Sequence, residues 1–249
     1  MNTPEDRFVN DQNLEHLTPQ EILQLAFSTF DNIALSFSGA EDVVLIDMAA
    51  KILRDTHKKL RVFSLDTGRL HPETYEYIEK VRQTYGLDLE LLSPDSNDLQ
   101  NFVRKNGLFS FLKDGHQACC SIRKVEPLKK KLATLEAWIS GQRKDQSPIT
   151  RQQIHLLEED HILGKDSNLI KFNPIANWTS KQVWNYIQMF DVPFNPLHQK
   201  GFTSIGCQPC TRAILPNQHE REGRWWWEES HIKECGLHNS DVIVSTAQR

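Results

Sequence analysis

The chain has 249 residues, 39% of them hydrophobic and 25% charged, with a formal net charge of −4. That length suits one α/β domain with a tail better than two well-built domains, and the net negative charge provides no overall field for nucleic acid. No run approaches the roughly 18 to 20 apolar residues needed to cross a membrane, and the polar N-terminus carries no apolar signal core. The expectation is a cytoplasmic protein with reduced thiols, no membrane partner, and anionic ligands held by local basic clusters.

Thr18-Pro19-Gln20-Glu21 is a capping box with Pro at the first helical position, predicting a helix to about residue 30. The apolar run 32–36 reads as a buried strand entering Ser36-Phe37-Ser38-Gly39, followed by a helix over 41–54. A second strand is expected over 61–65, its turn at Asp66-Thr67-Gly68, then a helix over 72–85 ended by Gly86. A strand over 87–92 and a helix over 98–105 complete an alternation that implies parallel βαβ units. Their binding crevice lies at the C-terminal ends of the strands.

The second half is less regular. A helix over 119–135 contains Pro127 near its start or at a kink, and 136–140 is a fourth strand ending at Gly141. The pattern over 149–163 does not separate strand from loop, and 169–172 reads as a short strand. Thr179-Ser180-Lys181-Gln182 repeats the capping box and opens a helix to about residue 190. Beyond it a loop-rich tail is expected.

The five cysteines divide into four plus one: adjacent Cys119 and Cys120, the C-x-x-C pair Cys207 and Cys210, and Cys235 alone. Two thiol pairs form a ligand set for an iron–sulfur cluster or zinc. Adjacent ligands favour the cluster, whose separate iron corners each take one thiolate, although zinc or no metal remain open. Cys235 reads as an exposed thiol rather than a buried small hydrophobe; His231, Lys233 and His238 favour its thiolate and Glu234 opposes it. No sixth cysteine exists to resolve a modified Cys235, which implies an external dithiol.

Basic groups cluster at Arg123-Lys124, at Arg143-Lys144 with Arg151, and at Arg212, Arg221 and Arg224, whereas Lys129 to Lys131 read as a solvated helix face. Ser36-Phe37-Ser38-Gly39 sits where free backbone N–H groups can receive a phosphate-like anion, although a plain structural turn fits equally well. Trp225-Trp226-Trp227 fits packing of the tail better than base stacking, and His71, His116, His155 and His161 carry no distinctive spacing.

Taken together, both cysteine pairs, the Ser36–Gly39 loop, Leu65-Asp66-Thr67-Gly68 and Glu234-Cys235-Gly236-Leu237-His238 resemble the assimilatory sulfonucleotide (APS/PAPS) reductases, in the bacterial iron–sulfur-type adenosine 5′-phosphosulfate (APS) branch. The resemblance implies an adenine-nucleotide α-hydrolase-like (PP-loop) fold, a mostly parallel sheet flanked by helices. It implies an N-terminal helical segment (1–30), a sulfonucleotide-binding α/β domain (31–200) and a C-terminal segment (201–249) ending in a mobile catalytic tail. Cys119, Cys120, Cys207 and Cys210 would hold a [4Fe-4S] cluster. Cys235 would attack the sulfate sulfur of APS, leaving a Cys235 S-sulfonate that thioredoxin cleaves to sulfite. The resemblance places Lys124 between cluster and sulfate, with Arg151, Arg221, Arg224 and His238 around the phosphosulfate. Leu65 and Gly141 would lie at the adenosine, and Ser36, Phe37, Ser38 and Gly39 would form the substrate loop. A homo-oligomer is also implied. The alternatives are a reductase of the 3′-phosphorylated substrate PAPS or of both substrates, a zinc-stabilised ATP-binding or tRNA-thiolating relative, and a redox sensor.

Overall fold

Short apolar strands alternate with helices along the described residues, 14–147, 150–160 and 169–228 of a computed structural model. The first half runs α1 (Pro19–Thr29), β1 (Ile33–Ser36), α2 (Ala40–Leu53), β2 (Arg61–Leu65), α3 (Pro72–Tyr85), β3 (Asp88–Leu92) and α4 (Ser96–Asn106). The second half contributes α5 (Gln117–Cys120), α6 (Glu126–Leu132), β4 (Ala137–Ile139), β5 (Leu157–Glu159), β6 (Ile170–Phe172) and α7 (Ser180–Met189). The strands form a six-stranded sheet in the order β3-β2-β1-β4-β6-β5. All neighbours pair in parallel except the edge strand β5, which is antiparallel to β6.

Each strand feeds both faces of the sheet, because successive side chains point opposite ways. Ile33, Leu35, Val62, Ala137 and Ile139 join the larger core with residues of α1, α2, α3 and α7. Ala34, Phe63 and Trp138, one step out of phase, pack against Val125, Leu128 and Leu132 of the α6 side. A parallel sheet covered on both faces explains why its central strands β1 and β4 are short apolar runs. The order reverses direction between β1 and β4, so the topological switch point lies at their C-terminal ends.

Local signals set the ends of the elements. Thr18 and Thr179 each accept from the N3 backbone N–H, and the N3 side chains of Glu21 and Gln182 answer the cap residue's own N–H. Gly86 ends α3 in the left-handed conformation, with φ 59°. The helical stretch expected around the adjacent cysteines passes through a π-helical turn, Ser121–Val125. Pro127 in the first turn of α6 has no N–H to give the Arg123 carbonyl, and the wider turn falls just before it. The ambiguous stretch after residue 149 contains β5, a three-residue polar strand too short to show a period.

Among the described residues no helix is long and apolar enough to cross a membrane. Removing the α7 cap tests the local reading: Thr179→Ala should lower unfolding stability by about 1 kcal/mol, read as a shift in the urea midpoint with an unchanged m-value.

Candidate functional site

The crevice at the switch point is organised by one carboxylate. Asp42, on the first turn of α2, accepts from the Ser38 N–H (2.8 Å), the Ser38 hydroxyl (2.9 Å) and the Gly39 N–H (3.0 Å) through Oδ2. Its Oδ1 accepts from the Gly141 N–H at 2.9 Å, joining the end of β4 to the loop after β1. The approach is so close that a Cβ on Gly141 would stand 2.6 Å from Asp42 Oδ1, so only glycine fits there. Burial and the neighbouring Glu41 carboxylate push the Asp42 acid up to about 6, against the opposing pull of its hydrogen bonds. The Ser38 and Gly39 N–H groups, expected to be free for a phosphate-like anion, are therefore already spent on Asp42.

A cavity of about 200 Å³ opens beside this clamp. Ser36, Ser38, Gly39, Leu65, Lys124, Gly141, Arg151, Arg221 and Arg224 all line it, bringing together nine sequence-selected positions from both halves of the chain. Phe37 does not line it. Its ring packs edge-on against Tyr77 with centroids 5.3 Å apart, and its N–H donates to the Phe63 carbonyl at 2.8 Å. Strand alternation turns its side chain into the core between two outward serines, leaving only its carbonyl for a ligand. Cys235 and His238 lie outside the described residues.

Both signs of charge line the cavity. Arg143, 1% exposed, pairs with Glu41 (2.7 Å) and Glu220 (3.2 Å), and both carboxylates belong to the lining. Burial pushes Glu41 up, but Arg143 more than offsets it and holds the acid below the usual carboxylate range. Burial and Glu41 together keep Glu220 above that range. Sequence reading grouped Arg143 with the ligand-facing cations; the structure instead makes it the internal counter-ion of two glutamates.

The four sequence-paired cysteines meet in one buried group. Cys119, Cys120, Cys207 and Cys210 form no disulfide and pack with Phe111 and Trp225. They line a second, smaller cavity with Arg69, His116, Arg123 and Lys124. Lys124, Cys207 and Trp225 line both cavities and form their common wall. Burial pushes the Cys119 thiol up, and burial reinforced by Cys207 takes Cys210 to about 12. Burial acts on Cys207 too, but Lys124, the Thr67 hydroxyl 3.2 Å away, Arg224 and Arg123 outweigh it and favour the thiolate.

Among the described residues no three His, Cys, Asp or Glu side chains converge as a single metal ion requires. Thiolates around an iron–sulfur cubane each bind a different iron and need not converge on one point. A buried set of four thiols ringed by cations therefore could hold such a cluster.

Trp225 fixes this wall. It adopts φ 40°, a strained conformation for a bulky residue. Its N–H donates to the Cys210 carbonyl (3.1 Å), His116 stacks on its ring (centroids 4.1 Å apart), and the Arg224 guanidinium lies 4.5 Å from the ring centre. Arg224 in turn rests against Gly206, where a Cβ would come within 2.4 Å of it. His116, fully buried, bonds Glu228 through its ring Nδ1 (2.5 Å) and its backbone N–H (2.9 Å). Nothing in the sequence near His116 signals this role, because its partner is 112 residues away. The sequence marks Asp42 only as an acid in the first turn of a helix.

Comparison with known proteins agrees with this geometry. The phosphoadenosine phosphosulfate reductase domain family matches residues 32–213. The chain is 55% identical to adenosine 5′-phosphosulfate reductase of Pseudomonas aeruginosa (strain LESB58), over 98% of this chain and 90% of that protein. It is 52% identical to 5′-adenylylsulfate reductase 1, chloroplastic, of Arabidopsis thaliana, over 93% of this chain but 50% of that protein. Among solved structures it resembles phosphoadenylyl-sulfate (PAPS) reductase from Candida auris in a phosphate complex, with TM-score 0.67 and 28% identity, covering 82% of this chain and 94% of that one.

The raised Asp42 acid has a pH signature. The folded protein holds this proton to about 6, the unfolded chain only to the ordinary 3.8. Stability contributed by protonated Asp42 is therefore present at low pH and lost as pH rises through that window. Relative to Asp42→Asn, the wild type should lose on the order of 3 kcal/mol between about pH 4 and pH 7, measured by denaturant unfolding at each pH.

Proposed function

The chain belongs to the phosphoadenosine phosphosulfate reductase domain family, and on that premise we propose that its crevice reduces adenosine 5′-phosphosulfate to sulfite and AMP with a thioredoxin-type dithiol as reductant. It is an oxidoreductase acting on sulfur in sulfate assimilation, as relatives sharing half or more of its residues are named for APS reduction. The observation that carries the reading is the common wall, Lys124, Cys207 and Trp225, between the crevice and the four-cysteine site.

Lys124, Arg151, Arg221 and Arg224 supply positive charge to the lining, suited to the phosphosulfate and to the negative charge that develops as AMP departs. Cys235 thiolate forms a bond to the sulfate sulfur as the bond from sulfur to the phosphate oxygen breaks, giving AMP and a Cys235 S-sulfonate. One thiol of the dithiol then attacks Cys235 Sγ and expels sulfite. The second thiol resolves the mixed disulfide, so the two electrons come from the dithiol. His238 is assigned to the phosphosulfate on the strength of the resemblance, as are Leu65 and Gly141 to the adenosine. Cys119, Cys120, Cys207 and Cys210 would hold a [4Fe-4S] cluster. When bound, it supplies a fixed charge beside Lys124 rather than an electron-transfer step.

APS is favoured over its 3′-phosphorylated form because both cysteine pairs of the APS-branch resemblance are present and a relative matched over 90% of its length is named for APS.

Sulfite release measured side by side should be thioredoxin-dependent with APS and much weaker with PAPS; equal turnover of both would remove the specificity claim. Cys235→Ser should abolish sulfite release at full iron content. Cys119→Ser or Cys207→Ser should lower the iron content itself, measured on anaerobically purified protein; unchanged iron would overturn the ligand assignment.

A further inference from the structure

A closed chain of buried hydrogen bonds behind the crevice leaves one donor unspent. Lys171 of β6, 5% exposed, donates from Nζ to Glu158 (2.6 Å) and to Gln142 Oε1 (2.5 Å). Asn173 donates from Nδ2 to the same Glu158 (3.0 Å) and to the His155 carbonyl (2.8 Å), while its Oδ1 accepts from the Ser140 hydroxyl (2.6 Å). Ser140 Oγ stands 3.4 Å from the Gln142 backbone N–H, which closes the loop. Every polarity follows from the ends of this chain. A carboxylate can only accept and an ammonium can only donate, so the amide oxygen of Gln142 must face Lys171.

The amide nitrogen is thereby forced the other way. Gln142 is 4% exposed, belongs to the crevice lining, and its Nε2 is buried without a hydrogen-bond partner. Buried polar groups in folded proteins are nearly always satisfied, and a fixed donor kept unpaired at a ligand crevice is suited to an acceptor that arrives with the ligand.

We infer that Gln142 Nε2 donates a hydrogen bond to a ring nitrogen of the substrate's adenine, with Lys171 and Glu158 as the residues that position it. The inference rests on the reading of the crevice as a sulfonucleotide site. Gln142 follows Gly141, whose N–H binds Asp42, and precedes Arg143, which binds Glu41 and Glu220. The cations beside Gln142 are already spent, Arg143 on Glu41 and Glu220 and Lys171 on Glu158, which leaves the neutral half of the nucleotide beside it. A group that can only donate is matched by an atom that can only accept, which a purine ring nitrogen is and a ribose hydroxyl is not.

The test is a set of double-mutant cycles read by AMP binding in calorimetry, which needs no turnover. AMP is compared with analogues in which adenine N1, N3 or N7 is replaced by C–H, and with its 2′-deoxy and 3′-deoxy forms. Wild type, Gln142→Met and Lys171→Met are titrated in parallel. One ring-nitrogen deletion should weaken AMP about tenfold in the wild type and have no effect in Gln142→Met, with partial loss of the coupling in Lys171→Met. The deoxy forms should lose the same factor in all three proteins, which also shows that the variants are folded. In turnover, Gln142→Met should raise KM for APS with kcat little changed. Additivity of all three ring deletions with Gln142→Met, or coupling to a ribose hydroxyl instead, would overturn the inference. Wild type that binds AMP but does not reduce APS would refute the proposed reaction while leaving this test intact.

Discussion

Two strand ends with nothing covalent between them are held together by the carboxylate of Asp42. One oxygen takes the loop after β1 and the other the end of β4. Those strands flank the point where the sheet order reverses, which is where a doubly wound sheet opens its binding crevice. A buried carboxylate is costly unless its lone pairs are filled, and here four donors fill them. The consequence for function is direct. The loop that would otherwise cradle a phosphate on its N–H groups is occupied internally, so the anionic part of a ligand is left to side-chain cations.

Of those cations Lys124 and Arg224 lie toward the cysteine site, where they act on Cys207, while Glu41, Asp42 and Glu220 add carboxylates to the lining. Arg143 lets two of the carboxylates remain buried. Lys124 and Arg224 give the crevice a direction for a nucleotide whose negative charge is all at one end. Trp225 couples that direction to the cysteines: one residue in a strained backbone touches Cys210 through its N–H, His116 through its ring and Arg224 through the guanidinium above it. The His116–Glu228 bond ties the segment carrying Trp225 back to the turn before the adjacent cysteines.

Features written in short spacings were legible beforehand. The Thr18 and Thr179 boxes, the Gly86 stop and the alternation of strands and helices each depend on neighbours within a few residues, and the structure places them as expected. The pairing of Cys119-Cys120 with Cys207 and Cys210 in one group was readable because thiols in adjacent or C-x-x-C positions have few other uses. What escaped was set by burial and by distance along the chain. Nothing local marks Arg143 as a buried counter-ion, Phe37 as core, or Gln142 as a fixed donor; each acquires its role from residues that only folding brings near. β5 escaped for another reason, since three residues on a polar edge carry no period.

The central claim is that the crevice delivers the sulfuryl group of APS to Cys235, and mass spectrometry of the protein after APS is added without any thiol tests it most directly. The account predicts one SO₃ adduct on the peptide carrying Cys235, with one AMP released per adduct, and loss of the adduct when thioredoxin is supplied. AMP release with no adduct, or an adduct on one of the four buried cysteines instead, would contradict it.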